Sequence, residues 1–222
     1  MLEIIGFIIL TLTIVSFSAI LGRKYGKEYI IGCFVGLIVI ANVLANKIVD
    51  FLYWAIPAGV IVYSSSFLLT DILAEFYNKR DAKRAVWIGF FVNLILVVSI
   101  LIAIYLPSAS LWTGQESFVL ILGNTWRIVV ASLVAYILSQ SHDVWSFCFW
   151  KKKTRGKALW FRNNASTIVS QIIDTIVFSF IAFYGLFPII RIIIGHLIIK
   201  IVIAILDTPF IYGVRYFYKF RK

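Results

Sequence analysis

The sequence contains little charge: only 14% of its 222 residues are Asp, Glu, Lys or Arg, whereas a soluble domain carries about a quarter. Hydrophobic residues make up 62%, and the mean hydropathy is +0.97. Water cannot cover this much apolar surface, so the surroundings must be lipid. The length leaves room for roughly seven spans of ~20 residues but for no separate soluble domain. We therefore expect one transmembrane domain over residues 1–222.

Cysteine and histidine are also scarce, and neither residue type forms a metal-binding pattern. Cys33 and Cys148 lie in apolar segments without a partner at a metal-like spacing. His142 and His196 are far apart in the sequence, which leaves a zinc site unsupported. The segment Gly22–Lys27 is one residue too short for a P-loop, and neither G-x-S-x-G nor H-E-x-x-H occurs. These absences argue against an enzyme and against a bound cofactor or metal.

Long apolar stretches predict an all-α polytopic membrane protein. Seven transmembrane helices are predicted, with approximate bounds of 3–22, 29–49, 53–77, 84–106, 118–140, 164–185 and 188–214. The first stretch has neither a charged leader nor a small-residue cleavage site, so we interpret it as a retained span. The fifth is ambiguous, because apolar character continues past the polar segment 139–143 as far as Trp150. Either this helix projects beyond the membrane, or it breaks there and 144–150 lies along the interface.

Basic residues occur in every second connection between the predicted helices. Lys and Arg follow the first, third, fifth and seventh helices, whereas the connections near 50–53, 107–117 and 185–188 carry almost none. Because cytoplasmic loops retain Lys and Arg, we expect an inner (plasma) membrane protein with its N-terminus outside and its C-terminus in the cytoplasm. This distribution accounts for most of the net charge of +11. It forms no continuous basic stripe, so nucleic acid is not an expected partner.

Acids, amides and bases also lie inside the apolar stretches, where a charge costs at least a few kcal/mol. Such residues usually face a cavity and act there, which favours a carrier over an anchor. They form stripes on four predicted helices: Asn42, Asn46 and Asp50 on the second, Asp71 and Glu75 on the third, Thr167, Ser170, Gln171, Asp174 and Thr175 on the sixth, and His196, Lys200 and Asp207 on the seventh. Asp71 and Glu75 share a face, and their mutual repulsion favours protonation chemistry or a cationic substrate. The alternatives are a solvated Glu75 paired with Lys79 and a structural ion pair of Lys200.

One order of residues is distinctive along the chain. It consists of Asn42, Thr70-Asp71 with Glu75, Arg127, Gln140-x-x-Asp143, Arg162-Asn163-Asn164-Ala165-Ser166-Thr167 with Gln171-x-x-Asp174-Thr175, Lys200 and Tyr212-Gly213. This order resembles the queuosine precursor transporter family, also called the vitamin uptake transporter family. The resemblance covers a core over roughly 29–215, with 1–28 as an additional N-terminal helix. It implies a transporter that imports a 7-deazaguanine base such as preQ0 or preQ1 for tRNA queuosine salvage.

The polar residues match the chemistry of such a base. A guanine-like edge presents adjacent N–H donors to a carboxylate, and its carbonyl and ring nitrogen suit Asn, Gln or Lys. We therefore predict a central site in which Asp71 or Asp174 binds the N–H edge. The other predicted substrate-binding residues are Asn42, Glu75, Arg127, Asn164, Gln171 and Lys200, and the candidates for an aromatic wall are Tyr63, Trp126, Phe178 and Phe183. Gln140, Asp143 and Asp207 are assigned a gating or structural role, with Asp143 near the cytoplasmic mouth.

The sequence is compatible with more than one energy source and more than one assembly. Facilitated diffusion with metabolic trapping and proton coupling through an intramembrane acid are both compatible with the sequence. A substrate-binding subunit of an ATP-driven vitamin importer and a structural membrane protein that carries nothing are the alternative functions. Gly32 and Gly36 permit a homodimer but equally permit internal packing. The expected partners are a small-molecule substrate and the lipid bilayer.

Overall fold

The computed structural model describes residues 2–45, 47–51, 54–123, 126–184 and 189–219. Its elements are α1 (Leu2–Tyr25), α2 (Glu28–Leu44), β1 (Ile48–Phe51), β2 (Trp54–Pro57), α3 (Gly59–Phe76), α4 (Lys79–Tyr105), α5 (Gln115–Leu122), α6 (Trp126–Lys153), α7 (Leu159–Phe183) and α8 (Ile189–Lys219). In this part of the chain, α1, α3, α4, α7 and α8 are long and apolar enough to cross a membrane, and α2 is a shorter apolar helix. The chain is therefore an all-α multi-pass membrane protein, as predicted.

Helix α3 is the central helix of the bundle. Every residue from Gly59 to Ala74 is buried except Tyr63, which is half-buried. Helices α1, α2, α4, α6, α7 and α8 all contact it. Helix α4 lies at the periphery, because few of its residues are buried and its apolar side chains face outward. The polar residues of α3 are therefore held among neighbouring helices and away from lipid.

The predicted boundary between the second and third helices is wrong. Helix α2 ends at Leu44, and β1 and β2 form a short antiparallel hairpin with Ile48 opposite Pro57 and Phe51 opposite Trp54. Seven of the eight strand residues are apolar, with Asp50 as the exception, and short apolar runs do not distinguish a strand from a helix end. Gly59 then begins α3 against α2, where a Cβ would overlap the carbonyl oxygen of Ala41. The hairpin thus turns the chain while the two helices stay in close contact.

The fifth predicted helix, 118–140, is also placed wrongly. The segment contains two helices, because α5 ends at Leu122 before Gly123 and α6 begins at Trp126. Helix α6 then continues through 139–143 to Lys153 without a break. Ser139, Gln140 and Asp143 are fully buried, so this polar segment faces neighbouring helices and does not interrupt the helix.

The connections at one end of the bundle are fixed by local contacts. Gly26 adopts a φ of +118° in the turn between α1 and α2, a conformation that favours glycine. The Asn78 side chain caps α4 by accepting from the backbone N–H of Asp81 at 2.9 Å. Lys27 donates to the Asp81 carboxylate at 2.7 Å. These bonds join the start of α2 to the start of α4.

Candidate functional site

A cavity lies between α2, α3, α4, α6, α7 and α8, near the ends of α2 and α3 that flank the hairpin. Its empty space is about 570 Å³, including the part open to the exterior. Apolar side chains form much of its wall. The polar side chains that line it are Asn42, Tyr63, Asn93, Ser132, Tyr136, Asp174, His196 and Lys200. Six separate segments of the chain thus bring polar groups to one place inside an apolar bundle.

Asp174 of α7 is the centre of the polar wall. Its Oδ2 accepts from Lys200 Nζ at 2.5 Å, and its Oδ1 accepts from the Tyr63 hydroxyl at 2.7 Å and the Ser139 hydroxyl at 3.1 Å. Asp174 and Lys200 are only 5% and 3% exposed. Lys200 Nζ also lies 5.6 Å from the centre of the Tyr63 ring. A buried ion pair is tolerated when further hydrogen bonds satisfy its atoms, and Tyr63 and Ser139 fulfil this role.

An amide pair forms another part of the wall. Asn42 Nδ2 donates to Asn93 Oδ1 at 2.6 Å and to the carbonyl oxygen of Ile38 at 3.1 Å. The Ser132 hydroxyl donates to Asn42 Oδ1 at 3.4 Å. Asn93 was not among the predicted site residues, although an amide in the middle of an apolar stretch was the signal that could have found it. This pair offers the cavity amide groups on the face contributed by α2 and α4.

Aromatic rings complete the cavity. Tyr63 and Phe178, both predicted for an aromatic wall, line it. The rings of Phe178 and His196 have centres 6.2 Å apart, and those of Tyr63 and Tyr136 are 6.5 Å apart. The predicted side chains of Trp126, Arg127 and Phe183 lie outside the described residues. A flat heterocycle would therefore meet ring faces as well as polar groups.

Several predicted site residues lie away from the cavity, towards the ends of α3 and α6 at Phe76 and Lys153. Asp71 and Asp143 are fully buried there. The Thr70 hydroxyl donates to Asp143 Oδ2 at 3.2 Å, and the Thr167 hydroxyl donates to Asp71 Oδ2 at 3.3 Å. Gln140 Nε2 donates to the Ser66 hydroxyl at 3.3 Å. Neighbouring helices surround Asp143, and its predicted gating or structural role near the cytoplasmic mouth stays a prediction.

Glu75 forms an ion-pair network between three helices. Arg162 Nη1 donates to Glu75 Oε2 at 2.6 Å, and Arg162 Nη2 donates to Oε1 at 3.1 Å. Lys151 Nζ lies 3.2 Å from Glu75 Oε2 and donates to the Glu75 carbonyl oxygen at 2.6 Å. The alternative pairing of Glu75 with Lys79 is not what the structure shows. Arg162 and Lys151 neutralise the carboxylate at the end of α3.

The segment Arg162-Asn163-Asn164 joins α7 to its neighbours. Asn163 Nδ2 donates to Asp207 Oδ1 at 2.5 Å, and Asn164 Nδ2 donates to Thr208 Oγ1 at 2.7 Å. Arg162 lies 5.2 Å from the centre of the Phe147 ring while it binds Glu75. Asn164 and Asp207 therefore have inter-helix partners and do not line the cavity. Their predicted roles, like those of Asp71, Glu75 and Gln171, stay predictions.

Gln171 is fully buried, yet neither its Oε1 nor its Nε2 has a hydrogen-bond partner among the described residues. It lies between Thr167 and Asp174 on one face of α7. Within the described residues, no group of three or more His, Cys, Asp or Glu side chains could hold a metal ion. The polar groups that line the described cavity are thus one carboxylate, amides, hydroxyls, one imidazole and one ammonium group.

Most of the chain is similar to known proteins. A family model described as "putative vitamin uptake transporter" matches residues 57–214. A Bacillus subtilis protein named "probable queuosine precursor transporter" is 32% identical over 181 residues, which are 80% of this chain and 79% of that protein. A Haemophilus influenzae protein of the same name is 32% identical over 128 residues, 57% of this chain and 51% of that protein.

An Escherichia coli protein named "queuosine precursor transporter" is 27% identical over 144 residues, 65% of this chain and 62% of that protein. No solved structure matches the chain significantly. All three relatives are named as transporters and none as an enzyme, in agreement with the prediction that the chain is not an enzyme.

Proposed function

Because this chain belongs to the vitamin uptake transporter family, we propose that it imports a queuosine precursor, a 7-deazaguanine base such as preQ0 or preQ1. Its relatives in three bacteria are named for queuosine precursors. The structural observation that carries the proposal is the Asp174–Lys200 pair, which lies in the wall of a cavity beside amides and aromatic rings. This combination suits a flat heterocycle with a hydrogen-bonding edge.

In the proposed complex, Asp174 accepts hydrogen bonds from the N–H edge of the base. Tyr63 and Ser139 already orient its carboxylate, so little reorganisation is required on binding. Lys200 Nζ donates to the carbonyl oxygen of the base. Asn42 and Asn93 bind the ring nitrogens on the opposite side, and Phe178 packs against the ring face.

The proposed topology has seven crossings, by α1–α4 and α6–α8, with the N-terminus outside and the C-terminus in the cytoplasm of the inner (plasma) membrane. The alternating Lys and Arg content of the connections supports this orientation. The hairpin then lies outside, and the cavity, which Ala45, Pro57 and Gly59 help to line, is in the outer half of the bundle. The Glu75–Arg162–Lys151 network closes the inner half. This arrangement corresponds to an outward-facing carrier.

Uptake in a bacterial strain that cannot synthesise 7-deazaguanine bases tests the proposal. Expression of the chain should produce uptake of radiolabelled preQ1 and restore queuosine in tRNA. Asp174→Asn should lower initial uptake by about tenfold or more, because it removes a charged hydrogen-bond partner. Asp50→Asn, which changes an exposed acid of the hairpin, is the matched control. Absence of preQ1 and preQ0 uptake, with the protein present in the membrane, would contradict the proposed substrate.

The same assay in proteoliposomes separates a complete carrier from a subunit of an ATP-driven importer. The purified chain should exchange labelled preQ1 for unlabelled preQ1 without ATP and without another protein. A chain that binds preQ1 but exchanges none would indicate a binding subunit. Competition by unlabelled preQ0, queuine and guanine then ranks the bases that the cavity accepts.

A further inference from the structure

Asp71 and Asp143 form a pair of acids separate from the cavity. Both are fully buried, and the Asp143 side chain interacts with that of Asp71 as well as with Thr70, Ser166 and Ser170. Asp71 Oδ1 and Asp143 Oδ1 are buried without any hydrogen-bond donor among the described groups. Two unprotonated carboxylates cannot satisfy each other, because both accept and neither donates.

The charged residues around the pair do not neutralise the negative charge of its two carboxylates. Within the described part of the chain, neither Asp71 nor Asp143 has a salt bridge. Two basic residues of neighbouring helices, Arg162 of α7 and Lys151 of α6, are both bound to the Glu75 carboxylate of α3. Neither forms a salt bridge with Asp71 or Asp143. The other titratable groups that face Asp71 are Asp207 of α8 and Cys148 of α6.

Asp207 is a further buried acid that supplies no positive charge, and its hydrogen-bond partner is the neutral Asn163. Two adjacent carboxylates without a cation in a buried site cannot both be ionised. A shared proton converts their repulsion into a hydrogen bond and supplies the missing donor. The surroundings of the pair therefore favour the state in which the two carboxylates share one bound proton.

Polar side chains connect the pair to the cavity. Ser139 lies one turn from Asp143 on α6 and donates to Asp174. Gln140 donates to Ser66 of α3 while its Oε1 is buried without a partner. Gln171 lies one turn from Thr167, which donates to Asp71. Protonation of the Asp71–Asp143 pair and binding of a substrate at Asp174 thus affect the same segments of α6 and α7.

A second polar path leads from the pair towards the surface. Ser170 interacts with Asp143 and also contacts His142 Nδ1 at 2.9 Å. His142 is half-buried and lines an open groove between α6 and α7. This groove has Trp145, Phe149 and Trp160 along its wall. The pair is therefore one hydroxyl away from a titratable side chain that reaches the exterior of the bundle.

We propose that the Asp71–Asp143 pair is the proton-binding site that couples import to the transmembrane proton gradient. This inference rests on the proposed function and identifies its energy source. While the cavity faces outward, the pair takes up one proton from exterior water in the cavity by way of the polar side chains that connect the two. When the inner ends of α3, α6 and α7 separate, water reaches the pair, and the proton passes to water on the cytoplasmic side.

Infrared spectroscopy of the purified, substrate-free protein tests the pair without any transport measurement. At neutral pH, the wild type should show a carbonyl band of a protonated carboxylic acid that shifts in D₂O. Asp143→Asn and Asp71→Asn should each remove intensity from this band, whereas Asp50→Asn should leave it unchanged. If both buried variants retain the wild-type band, the pair carries no proton and the inference is overturned. Absence of the band in the wild type also overturns it, whether or not the variants fold.

Proteoliposomes then test coupling, with radiolabelled preQ1 as the probe. An acidic exterior should increase preQ1 accumulation by the wild type, and Asp143→Asn should lose this stimulation while Asp50→Asn keeps it. Accumulation that follows a sodium gradient and ignores the pH gradient would contradict the inference. Absence of preQ1 exchange by the wild type would instead count against the proposed substrate, and the infrared result would still decide the protonation of the pair. Thermal stability of each purified variant controls for misfolding.

Discussion

Arg162 binds Glu75 through two parallel hydrogen bonds of 2.6 and 3.1 Å, although the two residues are 87 positions apart in the sequence. The guanidinium is completely buried and the carboxylate side chain is 8% exposed. A bidentate contact of this kind is strong and geometrically specific. In the proposed topology it connects α7 to the inner end of α3, where it would hold the cytoplasmic side of the carrier closed.

Removal of either partner should destabilise the fold. Glu75→Gln leaves a buried guanidinium uncompensated and should cost about 3–5 kcal/mol. Arg162→Met should cost less, because Glu75 keeps its contact with Lys151. The double variant should lose less than the sum of the two single losses, because no lone buried charge remains. Unfolding by a denaturing detergent, followed by circular dichroism, measures these differences. Arg80→Met, at an exposed position, is the control and should have little effect on stability. If the losses of the two single variants simply add in the double variant, the ion pair between Arg162 and Glu75 is contradicted.

Tyr63→Phe should weaken substrate binding. The hydroxyl donates to Asp174 at 2.7 Å, and a hydrogen bond to a charged group contributes about 1.5–3 kcal/mol. We expect the Kd for preQ1, measured by isothermal titration calorimetry, to rise by about tenfold or more. Tyr136→Phe is the matched control, because Tyr136 lines the same cavity but donates to the carbonyl oxygen of Val86. Equal effects of the two changes would argue against a role of Asp174 in binding.

Accessibility to labelling should show which side of the membrane the cavity faces. In a background without Cys33 and Cys148, Ser132→Cys should react from outside with a membrane-impermeant thiol reagent, and preQ1 should slow the reaction. Ser66→Cys is the control, because Ser66 is fully buried and lies outside the cavity wall. Labelling of Ser132→Cys from the cytoplasmic side alone would contradict the proposed orientation.

Two glycine substitutions should show where close packing between helices leaves no room for a side chain and where a side chain fits. Gly59→Ala places a Cβ against the backbone of Ala41 and Ala45, so the helices must separate at a cost of about 1–3 kcal/mol. Gly36→Ala is the control, because nothing lies within 4 Å of its added Cβ. Thermal melting of the purified variants compares the two. If Gly36→Ala lowers the Tm as much as Gly59→Ala, a contact outside the single chain, such as a homodimer, uses that face.

The sequence predicted the helices whose apolar stretches are long and uninterrupted. The structure places α1 and α4 within a few residues of expectation. It differs where short apolar segments can form more than one structure, as at Ile48–Phe51 and Trp54–Pro57. The polar segment 139–143 was equally ambiguous, because its burial depends on side chains of α3 and α7 that are distant in the sequence.

The candidate site could be predicted only in part, because it also depends on contacts between residues that are distant in the sequence. Helical spacing shows that Asp71 and Glu75 share a face of α3, but it does not identify the helices that face them. The structure places Asp71 beside Asp143 and Glu75 beside Arg162. Asn42, Asp174 and Lys200 do converge on the cavity. Which buried polar residues bind a substrate and which bind one another depends on long-range packing, and a single sequence does not encode that packing in any local pattern.

Helix α7 is attached to α8 at two levels, through Asn163 and Asn164 near one end and through Asp174 near the middle. These attachment points are separated by about three helical turns, so they oppose rotation or sliding of α7 against α8. In the proposed carrier we therefore expect the two helices to move together. In the proposed carrier, exposure of the cavity to the cytoplasm would require α7 and α8 to move away from the inner end of α3, and the contact between Arg162 and Glu75 would have to break.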